Sequence, residues 1–376
     1  MKILLVGANG YGANFLQPIY DLHKSGQATF EGVVNRSPYP LQEEFAAADI
    51  PTYKTLDAFY AEHEADLAVI STPAFLHKEQ SIFCAEHGSH VLCEKPAAPI
   101  PEEVEAMIQA EKDTGKFIAI GFQASFAAQT VELKKDILSG KLGKPISMKS
   151  AICGVRRLSY YGRGDGYAGA ISRNGRMILD SVASNACAHY LHNMLFLLGD
   201  RMDTSAFISE LTGECYRANT IDNFDTCTLK MKTESGIPVY YAASHANQTS
   251  LPFTFEAKFE NATVRWTRVA DDDLTAYFKD GTTKVYGNPF GGGVTEKLMD
   301  CIDCVKNGTT PVCTALTALP HIQLIWDIYK TIPTVSFPEE AKTIQDHPKH
   351  GPAVVVPGLA ENLKVAFDRT CLLSEV

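Results

Sequence analysis

Lys2 to Val6, read KILLV, runs without interruption into Gly7-Ala8-Asn9-Gly10-Tyr11-Gly12, and Ala13 to Ser25 then carries apolar residues at Phe15, Leu16, Ile19, Tyr20 and Leu22. A short apolar run suits a buried strand, and the spacing that follows suits one face of a helix. A strand that feeds a helix through a glycine turn commits the start of the chain to an α/β layer. Such a turn lets backbone N–H groups at the positive end of a helix approach a pyrophosphate without Cβ atoms in the way. The motif departs from G-x-G-x-x-G, because Asn9 stands at the second position and Gly10 follows it. Asn is the non-glycine residue that best tolerates φ > 0, so the turn is expected to survive with a somewhat altered approach.

The alternation continues. Strands are expected at Phe30–Val34, Asp66–Ile70, His90–Cys93 and Phe117–Gly121. Helices are expected at Leu41–Ala48, Leu56–His63, up to Gly88, and at Pro101–Thr114, where Pro opens and Gly115 closes the element. This is the pattern of a doubly wound parallel sheet of Rossmann type, whose ligands bind at the carboxyl ends of its strands. Three segments fall there: Asn35-Arg36-Ser37, Ser71-Thr72-Pro73 and Glu94-Lys95-Pro96. The first lacks the carboxylate that would bind an adenosine ribose. Asn35 does not repel a 2′-phosphate and Arg36 can pair with one, so the reading favours NADP over NAD. The plainer reading of Arg36 is an exposed side chain in a turn before Pro38. Lys95 presents an ammonium from backbone stiffened by Pro96, and its plainer reading is a solvated lysine beyond a strand.

After Gly121 the texture changes. With 376 residues the chain exceeds what one core of about 250–300 residues usually spans, and two domains are expected, 1–121 and 122–376. A helix at Ala127–Leu138 precedes strands at Ile146–Cys153, Ser205–Tyr216, Phe224–Lys232, Pro238–Ser244, Phe253–Phe259, Thr263–Thr267, Thr275–Phe278 and Thr283–Tyr286. Their alternation predicts an α+β domain with a largely antiparallel, open-faced sheet. Helices near Val294–Lys306, Leu316–Thr331 and Gly358–Cys371 complete it.

Thirty-four basic against 44 acidic residues give a net charge of −10 with no basic block, which argues against a nucleic-acid partner and for a small molecule. The ten cysteines are scattered, as free thiols in a reducing cytosol would be. Cys301 and Cys304 form a CxxC inside a helical pattern without a second pair, so core packing accounts for it and no metal is expected. The first strand starts at once after Met1, and no apolar run is long enough to span a bilayer, so a cytoplasmic protein is expected.

The glycine turn at Gly7, the STP at Ser71–Pro73, the EKP at Glu94–Pro96 and the SGKLGKP at Ser139–Pro145 stand in an order that resembles the glucose-fructose oxidoreductase and inositol dehydrogenase (Gfo/Idh/MocA) family over nearly the whole chain. The resemblance implies that the Lys of EKP, here Lys95, contacts both the nicotinamide ribose and a substrate hydroxyl. It also implies that Thr72, Pro73 and His77 lie along the cofactor, where Gly7, Asn9, Gly10, Tyr11, Gly12, Asn35, Arg36, Ser37, Ser71 and Glu94 are expected as well. The family's second catalytic cluster is an Asp and a His on a helix before a leucine-rich stretch ending in Gly. Counting back from Leu195-Phe196-Leu197-Leu198-Gly199 places the His at His189 and Asn185 at the Asp position. Residues four apart share a helix face, so both are expected to point together, with the amide orienting by hydrogen bonds where a carboxylate would also raise the His pKa. His189 also reads as a satisfied core histidine. Asp180 either meets the substrate or caps the helix.

Between Cys153 and Asp180 the chain is dense in Arg and Tyr: Arg156, Arg157, Tyr160, Tyr161, Arg163, Tyr167 and Arg173, with Asp165 among them. Arg156, Tyr160 and Tyr161 suit a polyhydroxylated or acidic sugar, and equally an oligomer contact. The expected protein is an NAD(P)-dependent oxidoreductase with Lys95 and His189 at the reacting oxygen of a sugar, sugar acid or cyclitol. It is expected to form a homodimer or homotetramer through the C-terminal sheet. The alternatives are a lyase or glycosidase that retains NAD(P) for transient oxidation, and a non-catalytic dinucleotide-binding regulator.

Overall fold

A computed structural model of the chain describes residues 1–162, 166–269 and 272–376. The chain divides into two compact units, Met1–Ala127 with Phe290–Leu319, and Ala128–Pro289 with Pro320–Val376. The expected division at residue 121 differs from this chiefly in the later segment, which belongs with the first unit.

The first unit alternates β1 (Lys2–Val6), α1 (Ala13–Lys24), β2 (Thr29–Val34), α2 (Gln42–Ala47), β3 (Thr52–Tyr53), α3 (Leu56–Tyr60), β4 (Leu67–Ile70), α4 (His77–Glu86), β5 (His90–Cys93), α5 (Pro101–Thr114), β6 (Ile118–Ile120) and α6 (Gln123–Phe126). The strands form one six-stranded sheet in the order β3-β2-β1-β4-β5-β6, parallel throughout. β4 and β6 are buried along their whole length, which explains their unbroken apolar sequences. The parallel arrangement brings the ends of β1, β4 and β5 to one edge as neighbours.

His90, at the start of β5, accepts a hydrogen bond from the Phe117 N–H at its Nδ1 (3.1 Å), a role only the neutral ring can fill. Burial, with Lys116 adding to it, lowers the His90 pKa from its usual 6.5 to about 4. Because the folded pKa lies below the unfolded one, this contribution to stability is complete above pH 6.5 and is lost as the pH falls from there to about 4. For this half-exposed ring the expected loss is on the order of 1 kcal/mol after solvent screening. A His90→Leu variant measured beside the parent should show a flatter acid limb of melting temperature against pH. Identical limbs would contradict the assignment.

The second unit contains α7 (Ala128–Leu138), β7 (Pro145–Val155), α8 (Leu158–Tyr161), a small hairpin of β8 (Ser172–Arg173) and β9 (Arg176–Met177), and α9 (Ala188–Leu197). The strands β10 (Ile208–Arg217), β11 (Thr226–Thr233), β12 (Pro238–Ser244), β13 (Ala246–Phe259), β14 (Ala262–Thr267), β15 (Leu274–Phe278) and β16 (Thr283–Gly287) follow. Next come α10 (Gly293–Asn307), of the first unit, and α11 (Ala315–Thr331), within which the division falls. The chain ends with β17 (Thr334–Ser336), a pair of β18 (Thr343–Gln345) and β19 (Ala353–Val355), and α12 (Leu359–Arg369). The nine-stranded sheet runs β16-β15-β14-β13-β7-β12-β11-β10-β17. It is antiparallel except where β12 meets β7 and β17 meets β10.

Tyr240 and Tyr241, successive residues of β12, are 1% and 0% exposed. Successive residues face opposite sides of a sheet, so both sides are covered there. The Tyr240 hydroxyl donates to the Cys371 carbonyl (2.9 Å) beyond α12, and that of Tyr241 to the Cys187 carbonyl (3.0 Å) before α9. Leu359, Leu363 and Phe367 of α12 pack with Ala151, Cys153, Tyr240 and Ala242. The face expected to stand open is therefore covered by α12 over β7, β12 and β13. Among the described residues no helix is long and apolar enough to cross a membrane.

Candidate active site

In the first unit the glycine turn is set by backbone geometry. Gly7 has φ +85°, and a Cβ there would lie 2.7 Å from the Ser71 carbonyl oxygen; one on Gly12 would lie 2.0 Å from the Gly7 carbonyl oxygen. Gly10 has φ +59° and open space where its Cβ would point. Asn9 has φ −105°, so the left-handed positions fall on Gly7 and Gly10, and the expected tolerance of Asn for positive φ is not called upon. Asn9 instead donates from Nδ2 to Ser37 Oγ (3.1 Å) and the Pro38 carbonyl (3.2 Å). Asn35 is buried, accepts from the Ala8 N–H (2.9 Å) and donates to the Ser37 carbonyl (2.5 Å). A carboxylate at 35 could make the first bond but not the second, so the amide fixes the loop after β2 to the turn. Arg36 is exposed, and Lys54 Nζ donates to its carbonyl oxygen (3.0 Å), which places a second cationic side chain at this loop.

At the end of β4 the Ser71 N–H donates to the Val6 carbonyl (2.8 Å), and Thr72 Oγ1 donates to Gln80 Oε1 (2.6 Å). Pro73 leads into a short 3-10 turn, Ala74–Leu76. His77, expected along the cofactor, is 1% exposed, with Nε2 2.8 Å from the Thr72 carbonyl oxygen and Nδ1 2.8 Å from that of Pro96. It acts on the edge only through the two loops it ties together. Burial lowers its pKa, and the two carbonyls oppose that.

At the end of β5 Lys95 is partly exposed, and its N–H donates to Glu94 Oε2 (3.2 Å). The Glu94 carboxylate is itself buried and ion-paired through Oε1 with the ammonium of Lys297. Lys297 lies on α10, is 0% exposed, and also donates to the Gly121 carbonyl (3.3 Å). Its ammonium stands 5.3 Å from the Tyr11 ring and 5.4 Å from that of Phe15. Desolvation of the Tyr11 phenol raises its pKa, and Lys297 opposes the shift.

In the second unit the segment before α9 is not one helix. Val182–Ala186 forms a π-helical turn capped by Ser181, whose Oγ accepts from the Ser184 N–H (3.1 Å), and Cys187 (φ −105°, ψ 9°) breaks it from α9. Asn185 lies in the π turn and His189 in the first turn of α9, so the expected four-residue helical spacing does not describe them. Asp180 is buried and does not cap the helix. It accepts from Asn185 Nδ2 (2.6 Å) and from the Gly169 N–H (2.6 Å), so a carboxylate stands against Asn185 after all.

Arg156, Tyr160 and Tyr161 come together at the end of β7 and in α8. The guanidinium of Arg156 lies 5.0 Å from the Tyr160 ring, and the two tyrosine rings meet edge-on at 5.1 Å. They surround a residue that the sequence reading missed, His245, whose Nδ1 is 3.5 Å from the Tyr161 hydroxyl and whose Nε2 is 3.8 Å from Cys187 Sγ. Burial holds the His245 pKa well below its ordinary value, with Arg156 adding to the effect, so the ring is neutral. The Tyr161 pKa is raised, by burial first and then by Asp225 and Tyr160. Arg157 donates to the Gly351 carbonyl (3.2 Å) and Arg173 pairs with Asp222 (2.6 Å), so both serve the scaffold. Arg163 and Asp165 lie outside the described residues.

Residues 1–122 match GFO_IDH_MocA, described as an oxidoreductase family with an NAD-binding Rossmann fold. The match places residues 1–122 with the NAD-binding Rossmann domain of that family. An inositol 2-dehydrogenase of Rhodococcus erythropolis is 32% identical over 40% of this chain and 44% of its own length. The NADP(+)-dependent scyllo-inositol 2-dehydrogenase IolU of Bacillus subtilis is 33% identical over 36% of this chain and 41% of its own. The chain thus matches less than half the length of these curated relatives. The WlbA dehydrogenase of Bordetella pertussis, solved with NADH and UDP-GlcNAcA, aligns at TM-score 0.72 and 22% identity over 88% of this chain and 96% of that one, a likeness of fold.

Within this matched segment the glycine turn fits an NAD-binding Rossmann edge: Gly7 and Gly12 bring the backbone close, and Gly10 leaves the approach open before α1. Lys297 and His245 are the residues that motif reading did not find. Lys297 lies outside the family match, and His245 stands alone after an apolar strand.

Proposed function

We propose that the chain is an NAD(P)-dependent oxidoreductase that moves a hydride between nicotinamide and a carbinol or carbonyl carbon of a sugar, sugar acid or cyclitol. The observation that carries the reading is the edge formed by the ends of β1, β4 and β5, where Lys95 stands beside a glycine turn shaped for a dinucleotide. Gly7, Gly10 and Gly12 would hold the pyrophosphate, Arg36 the adenosine end, and Thr72 and Lys95 the nicotinamide end. The bound nicotinamide supplies hydride chemistry.

Lys95 donates to the substrate oxygen and stabilises negative charge on it, and His189 takes up or returns the hydroxyl proton. Asp180 orients Asn185, and Arg156, Tyr160 and Tyr161 receive the rest of the substrate. Self-association through the second-unit sheet, outside the cover of α12, belongs to the same proposal. So does a cytoplasmic setting, which the ten free thiols support. The test is to titrate purified protein with NADH and NADPH and then screen sugars, sugar acids and cyclitols for a change in nicotinamide absorbance. Failure to bind either dinucleotide would sink the proposal.

NADPH is expected to bind more tightly than NADH. Arg36→Ala should weaken NADPH by about 1.5–3 kcal/mol, the scale of a charge-assisted hydrogen bond, with little effect on NADH. Equal losses for both would assign Arg36 to the adenine or the turn.

A further inference from the structure

We infer that Lys297 is a positioning residue of the dinucleotide site, whose buried ammonium joins the glycine turn after β1 to the Glu94–Lys95 corner after β5. The inference rests on the dinucleotide-dependent activity proposed above and adds to it a residue from a helix far downstream of the family match.

The geometry has three parts. Lys297 and Glu94 have side chains 0% and 7% exposed, and they pair directly. The other oxygen of Glu94 accepts from the Lys95 N–H (3.2 Å), so whatever fixes the carboxylate fixes the peptide that carries Lys95. Tyr11, in the glycine turn, faces the same ammonium at 5.3 Å, so one charge touches both ends of the edge. Space is kept for it: a Cβ on Gly121 would stand 2.9 Å from Lys297 Nζ. The segment that brings the lysine also packs on α1, β4, β5 and α6, all within the first unit.

Stability alone does not account for this pair. Desolvating two charges costs several kcal/mol, and well-packed apolar replacements are often as stable or more so. An ion pair earns its place by fixing a geometry, and here the geometry fixed is that of Lys95 relative to the turn.

The experiment uses the full chain, Lys297→Met and the double variant Glu94→Gln/Lys297→Met. Each is titrated by nicotinamide fluorescence with whichever of NADPH and NADH the parent binds more tightly. Each is also titrated by calorimetry with the adenosine half alone, adenosine 2′,5′-bisphosphate for NADPH or AMP for NADH. Lys297→Met is expected to raise the Kd of the whole dinucleotide about tenfold or more, the scale of a lost charge-assisted contact. The Kd of the adenosine half should stay within about twofold, well below that scale. Lys297→Met leaves a buried carboxylate unpaired and should melt lower, whereas the double variant should regain the melting temperature without regaining dinucleotide affinity. A purely structural role predicts that both ligands weaken together, or that the double variant binds like the parent, and either result overturns the inference. Lys95→Met separates the two claims. If it leaves dinucleotide binding intact while Lys297→Met weakens it, the assigned role of Lys95 fails and Lys297 acts on the cofactor by another route, which also overturns the inference as stated. A parent that binds neither dinucleotide ends both.

Discussion

Lys95→Met is expected to lower turnover by roughly a hundredfold or more, the usual contribution of a positioned acid, base or hydrogen-bond donor. The backbone around Lys95 is held independently of its side chain. Its N–H rests on Glu94, and the Pro96 carbonyl faces His77 Nδ1 at 2.8 Å. Removing the ammonium should therefore leave the corner in place, and the loss should be one of chemistry and cofactor contact. Weaker dinucleotide binding should accompany the loss of turnover, because the same group is assigned to the nicotinamide ribose. His189→Ala is expected to lose turnover on the same scale, with dinucleotide affinity almost unchanged. The helix that carries His189 starts at Cys187, whose carbonyl accepts from the buried Tyr241, so this truncation too should spare the scaffold. Near-normal turnover of His189→Ala would move the proton role to Tyr161 with His245, whose ring nitrogen lies 3.5 Å from the Tyr161 hydroxyl.

The first unit was legible because its central strands are mostly buried and its turns are punctuated by Gly and Pro, so local pattern and tertiary placement agree. β1, β5 and α5 fall on the residues expected for them. Three features needed structure. The assignment of Asn9 to a positive φ failed because the following Gly10 takes that conformation at lower cost. The π turn at Val182–Ala186 was read as regular helix because its apolar and small residues fit either winding, and only the break at Cys187 shows that Asn185 and His189 belong to different elements. The assignment of α10 is the clearest limit. Its apolar stripe says that one face is buried but not against which sheet, and Lys297 looks from sequence like a surface lysine. Cys301, on the same helix, is 0% exposed, and burial holds its thiol well above the ordinary pKa, so this half of the CxxC behaves as core.

The glycine turn supplies the other large expected effect, and it separates glycines that sequence treats alike. Gly12→Ala should abolish dinucleotide binding and cost about 1–3 kcal/mol of stability, the range for forcing atoms into a filled site. Its Cβ would stand 2.0 Å from the Gly7 carbonyl oxygen, and a backbone obstacle cannot swing aside as a side chain can. Nor can Gly7 retreat. Its N–H donates to the Val34 carbonyl (2.9 Å), and its α-carbon faces the Ser71 carbonyl at the end of β4. The turn would have to open, and the N–H groups at the start of α1 would lose their aim at the pyrophosphate. Gly10→Ala meets nothing within 4 Å and bears only the strain of its φ of +59°, about 1–2 kcal/mol. It should keep the fold and weaken the dinucleotide modestly. Urea melts and nicotinamide fluorescence titrations of both variants would check the contrast. If Gly12→Ala bound the dinucleotide as well as Gly10→Ala, close backbone approach would not be what this turn requires.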